Sequence, residues 1–192
     1  YNRRCYWRWL AMASETGGGW MSDYDVIPLG LDAKKGLEIS KTDNFRSYAQ
    51  HVPSLIHASR AEWDRIIHLM MDLVPVTKSS HGIISDMYSL MTVREKLGKQ
   101  SDMMIWTNEV EGGFPYTKNA EGWPWMKCKK LLRVKATHIS HRATKDSFGW
   151  GNYPKLEDPP KDDHEAVEKR GEAAAAFMKQ FNEKCLNKSN VN

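Results

Sequence analysis

Three observations predict an α/β fold. Residues 2 to 14 carry apolar side chains at helical spacing. Gly17-Gly18-Gly19 ends that run, and a short apolar piece then leads to the acidic pair of Asp23-Tyr24-Asp25. Beyond it, helical and strand-like segments alternate along the chain. The 192 residues fit one domain, or one domain with a tail, and 41% hydrophobic content with eight tryptophans can fill a core.

In the first helix, Cys5, Trp9 and Ala13 fall at i, i+4 and i+8 with Tyr6 and Leu10 beside them, while Arg4 and Arg8 share another face. The glycines stop it, because they tolerate positive φ and close backbone approach. A strand over Trp20 to Ser22 puts Asp23 at its C-terminal edge, where open α/β sheets bind ligands. Val26 to Leu31 stays apolar, but Pro28 argues against a central strand. Leu37-Glu38-Ile39 reads as a short strand and residues 40 to 51 as loop.

Ser59 is placed to cap a helix from Arg60 to Leu73, and Glu62 completes a capping-box pattern. Trp63, Ile66, Ile67, Met70 and Met71 make its core stripe. Ser79 to Gly82 reads as a turn, Ile84 to Lys96 as a helix, Met103 to Thr107 as a buried strand and Leu131 to Ile139 as another. A Pro-rich acidic linker over 155–162 precedes a charged helix over 163–185, whose narrow stripe is Val167, Ala174, Phe177, Met178 and Phe181. Residues 186–192 read as a disordered tail.

Chemistry-bearing residues gather at a few points. Asp23 and Asp25 offer hard oxygen ligands of the kind Mg²⁺ or Mn²⁺ prefers. Asp86 stands at a helix start, as a capping residue or an active-site acid, and Glu109 follows a strand, as a charged turn or a second acid. Trp123 and Trp125 lie in an aromatic loop able to stack on a sugar ring or to pack on the domain. His138 and His141 lie where a strand gives way to a turn, with Arg142 and Lys145 near enough in sequence to neutralise a diphosphate.

The series Arg8-Trp9-Leu10-Ala11-Met12, Gly18-Gly19 and Asp23-Tyr24-Asp25 resembles the sugar-nucleotide-binding core of glycosyltransferases with a GT-A fold, closest to family 32. The resemblance covers about the first 30 residues well, with Cys5 where the family usually has Asp and a longer helix-to-glycine connection. It implies a Rossmann-related GT-A core in which 1–154 are the C-terminal part of the catalytic domain. Only 22 residues precede Asp-x-Asp, so the nucleotide-binding half is expected upstream and the chain to be a fragment. By the resemblance, Asp23 and Asp25 are catalytic and metal-binding. Arg8, Gly18, Gly19, Tyr24 and Arg142 contact the donor, and either His138 or His141 supplies a third metal ligand. Trp123 and Trp125 would meet the acceptor.

The implied activity is transfer of a sugar from a nucleotide sugar to a carbohydrate or glycoconjugate with Mn²⁺ or Mg²⁺, with retention. A non-catalytic carbohydrate-binding or interaction module on the same scaffold is the alternative. A metal-dependent phosphoesterase would need more acidic or histidine ligands than the sequence offers. Net charge of +4 comes from scattered Lys and Arg, which gives no nucleic-acid surface. Three cysteines, none as Cys-x-x-Cys, exclude a zinc knuckle but leave room for a single disulfide. No apolar run is long enough for a membrane span. An upstream anchor would place the protein in the Golgi or secretory pathway, and its absence in the cytoplasm.

Overall fold

The computed structural model describes residues 2–39, 41, 44–97, 104–112, 116–118, 124–139 and 161–187. The fold is mixed α/β, in two units: Tyr1–Tyr24 with Asp32–Asn108, and Asp25–Leu31 with Glu109–Asn192.

The first unit is built on a mixed four-stranded sheet. Its strands are β1 (Gly19–Ser22), β3 (Phe45–Ser47), β4 (Leu55–Ala58) and β5 (Met104–Trp106), in the order β1-β4-β3-β5. The first two pairings are antiparallel, Met21 facing Ile56 and Ser47 facing Ile56, and β3 runs parallel to β5. β4 is buried at all four positions, as a central strand should be. Helices α1 (Asn2–Ser14), α3 (Arg60–Asp72) and α5 (Asp86–Leu97) supply the other side of one core. There Trp9 meets Trp63 edge-on at 5.4 Å, and Phe45, Ile56, Met70, Leu90 and Met104 close around them.

Ser59 caps α3 by accepting from the Glu62 amide. The Glu62 carboxylate also pairs with Arg65 at 2.5 Å. Met71 was expected in the core stripe and is 56% exposed, since it lies one residue past the buried Met70. Leu37 to Ile39 belongs to helix α2 (Ala33–Ile39) rather than a strand. Two residues of apparent alternation cannot be told from a helix turn. Ser79 to Gly82 ends helix α4 (Val74–His81) with Gly82 in the left-handed conformation, and Pro75 is tolerated in its first turn. The loop expected over 40–51 contains β3, whose Phe45 and Ser47 are fully buried.

The second unit pairs β2 (Val26–Pro28) with β9 (Ala136–His138) antiparallel, and β9 with β6 (Val110–Gly112) parallel. Pro28 lies in an edge strand, as its missing amide requires. β7 (Tyr116–Lys118) and β8 (Pro124–Met126) form a hairpin. The strand expected over Leu131 to Ile139 is shorter, because helix α6 (Cys128–Leu131) and a turn occupy its first half. The Arg133 and Leu132 amides bond back into that helix.

The C-terminal segment is α7 (Asp163–Glu168), capped by Asp162, then α8 (Arg170–Phe181) and a π turn over Asn182–Leu186. Ala173, Phe177 and Phe181 pack with Met126, Leu131 and Ile139 in a second core. Cys128 and Cys185 form a disulfide across that core with Cα atoms 5.2 Å apart, and Cys5 takes no part in it. Most of the expected linker, 155–160, and tail residues 188–192 lie outside the described residues. Among the described residues no helix is long and apolar enough to cross a membrane.

Candidate functional site

Asp23 and Asp25 fall in different units, Asp23 closing one and Asp25 opening the other. Each has a built environment of its own.

In the first unit, β1 delivers Asp23, whose amide donates to the Ser54 carbonyl at 2.9 Å. Arg8 of α1 bonds the Asp23 carboxylate through Nη1. The same guanidinium turns its Nε (3.0 Å) and Nη2 (2.5 Å) to Asp86 Oδ2. Trp9 Nε1 donates to that oxygen at 3.2 Å, and the Met87 amide donates to Oδ1 at 2.9 Å. Asp86 is therefore buried and met by four donors, which assigns it to locking α1 against α5. Burial works against the charged Arg8, but Asp86 and then Asp23 outweigh it and hold its pKa above the ordinary value.

Gly18 has a structural reason of its own. With φ of +68° it sits so close to the start of α3 that a Cβ would lie 2.6 Å from both the Ala58 carbonyl oxygen and the Arg60 amide nitrogen. Gly19 also has positive φ, and Tyr24 is 82% exposed.

In the second unit, β2–β9 pairing sets His138 opposite Val26, beside Asp25. The Ile139 amide donates to the Asp25 carbonyl at 2.8 Å and fixes that end of the ladder. His138 Nε2 then stands 3.2 Å from Asp25 Oδ1. Arg170, the first residue of α8, brings Nη1 to 2.5 Å from the other oxygen, Oδ2. Asp25 and Arg170 side chains are each 8% exposed. No hydrogen bond from a described residue reaches the buried Oδ1. Burial works to raise the Asp25 pKa, but His138 and then Arg170 outweigh it, and the carboxyl is held below its ordinary value.

That geometry allows a test of fit for a divalent ion. Two ligand atoms at about 2.1 Å from one octahedral ion stand about 3.0 Å apart when adjacent. The observed 3.2 Å between a carboxylate oxygen and an imidazole nitrogen is near that separation, and is equally the distance of a direct Asp25–His138 ion pair. A mixed oxygen and nitrogen donor set suits Mn²⁺ better than Mg²⁺, which prefers oxygen.

Glu109 immediately precedes β6 and pairs with Lys135 at 2.9 Å. The Lys135 amide also donates to the Glu109 carbonyl. His141, Arg142, Lys145 and Trp123 lie outside the described residues, and Trp125 is placed in β8 by its backbone.

Sequence reasoning missed Arg170. The signal was present: Arg170, Ala173, Phe177 and Phe181 fall at i, i+3, i+7 and i+11, so a cation occupies the buried stripe of a helix. A charge there needs a buried partner, and Asp25 is that partner.

No family model, curated protein sequence or solved structure matches this chain.

Proposed function

We propose that the chain is part of a metal-dependent glycosyltransferase of GT-A type, acting on a nucleotide-sugar donor and a carbohydrate or glycoconjugate acceptor with retention. One observation carries the reading. The second carboxylate of Asp-x-Asp and a histidine far along the chain bring a buried oxygen and a ring nitrogen within 3.2 Å of each other. Asp25 and His138 would hold the ion, with Mn²⁺ preferred. When bound, the ion neutralises the charge that grows on a diphosphate leaving group as the glycosidic bond breaks.

Asp23 and Arg8 enter the proposal as donor contacts on their place in the motif. Tyr24 offers an exposed ring to the donor. The Cys128–Cys185 disulfide supports an oxidising compartment, as along the secretory pathway.

Incubation with a panel of nucleotide sugars and Mn²⁺, followed by product analysis, tests the reading. Metal-dependent release of nucleoside diphosphate from one donor, lost in Asp25→Ala, supports it. Intact donors throughout would leave the alternative, a non-catalytic module. That alternative draws on the Arg170–Asp25 pair, which already gives Asp25 a cation partner without any metal.

A further inference from the structure

We propose that Arg170 is a built-in counter-ion of Asp25, which keeps free divalent metal weakly bound so that the ion enters together with a diphosphate. The proposal rests on the metal-site reading above and concerns how that site is loaded.

The two Asp25 oxygens are divided between two tasks. Oδ2 takes the guanidinium at 2.5 Å, and Oδ1 faces His138 at 3.2 Å without a hydrogen bond. Arg170 therefore leaves the ligand atom open while cancelling its charge. Affinity for a hard dication follows the count of charged ligands. Asp25 brings one negative charge to this unit's ligand pair, and Arg170 returns one positive charge 2.5 Å away with both side chains 8% exposed. A bare dication meets a carboxylate that a guanidinium already pairs. A dication already carrying a diphosphate brings its own compensating charge and needs only the two ligand atoms.

Arg170 is also held too firmly to be a passing surface contact. It starts α8, whose Ala173, Phe177 and Phe181 are buried in the second core. At the far end of the same segment Cys185 is bonded to Cys128. Helix and disulfide together fix the cation on Asp25.

The test is calorimetric titration of the wild-type chain and of Arg170→Met with Mn²⁺ alone and with preformed Mn²⁺–pyrophosphate, together with melting curves with and without Mn²⁺. In the wild type, Mn²⁺–pyrophosphate is expected to bind at least about tenfold more tightly than Mn²⁺. In Arg170→Met, Mn²⁺ alone is expected to tighten at least about tenfold, because affinity for a hard cation rises with the negative charge its ligands present. Mn²⁺ should also raise the variant's melting temperature more than the wild type's, because the ion binds only the folded state. Unchanged or weaker binding of Mn²⁺ by the variant overturns the counter-ion role while leaving the metal site standing. Binding of neither probe by the wild type overturns the metal site itself. If Arg170→Met folds only when Mn²⁺ is present, the ion is replacing the lost cation, which supports the proposal. If neither it nor Arg170→Gln folds even with Mn²⁺, Arg170 is a structural residue and the proposal fails.

Discussion

Asp86 Oδ2 accepts from Arg8 at both Nε and Nη2, so one buried carboxylate oxygen ties the first helix of the chain to the fifth. Trp9 Nε1 donates to the same oxygen from the next residue of α1. This pair orders the helix from which Arg8 reaches Asp23.

Replacing Asp86 with Ala strands the Arg8 guanidinium and the Trp9 indole. Arg8 is 30% exposed and keeps Asp23, so the loss should fall below that of a fully buried pair. We expect destabilisation of about 2–3 kcal/mol, measured by urea unfolding. A change within about 0.5 kcal/mol would mean that Asp86 is dispensable to packing and free for another role.

Gly18→Ala should destabilise the first unit by at least about 2 kcal/mol, because the left-handed φ and the backbone of the α3 start both oppose a Cβ. Gly17→Ala is the control, with nothing within 4 Å of the added carbon. Equal melting temperatures for the two variants would contradict the close approach seen at Gly18.

His57 and Asp25 are among the groups that make stability depend on acid pH. His57 is 1% exposed, and its pKa is lowered, first by burial and then by Arg46. A histidine whose folded pKa lies below the unfolded value of about 6.5 contributes stability that is full above that pH and is lost as pH falls through the folded pKa. Asp25, also lowered, contributes stability present above about 3.9 and lost as pH falls through its folded pKa. Unfolding free energy should therefore decline in two stages below neutrality. His57→Phe should flatten the upper stage and Asp25→Asn the lower. Parallel pH profiles for wild type and both variants would remove these assignments.

The Cys128–Cys185 bridge closes a loop with a sequence separation of 57 residues, for which the chain-entropy account gives a contribution of about 4 kcal/mol, with about 2–4 typical of experiment. Cys185→Ser should lower guanidinium stability by that amount, and a reductant should do the same to the wild type. Cys5→Ser, which removes the cysteine outside the bridge, should change neither the reductant sensitivity nor the non-reducing peptide map. A map without the 128–185 cross-link would contradict the fold of the second unit.

How much of this was legible in the sequence depends on whether the signal was local. α1, α3 and the strand before Asp23 were readable because periodicity and caps are local, and they appear close to their expected bounds. β3 and β4 were not expected. Phe45-Arg46-Ser47 is short and polar at its last two positions, and its burial comes from pairing with β4 and with β5, which is distant in sequence. α4 was hidden by Pro75 and by a serine pair, although both tolerate a helix's first or last turns. The proximity of His138 to Asp25 could not be derived from spacing, because it is fixed by β2–β9 register across more than a hundred residues. Arg170 was legible only as an arginine on an apolar stripe, with no hint of its partner.

The most direct measurement is Mn²⁺ binding followed by electron paramagnetic resonance in the presence of nucleoside diphosphate, comparing wild type with Asp25→Asn and His138→Ala. The account predicts a protein-bound Mn²⁺ spectrum in the wild type, with nitrogen coupling from the imidazole. That coupling should vanish in His138→Ala, and affinity should fall at least about tenfold in Asp25→Asn. A bound spectrum that survives both substitutions unchanged, or none in the wild type at all, would contradict it.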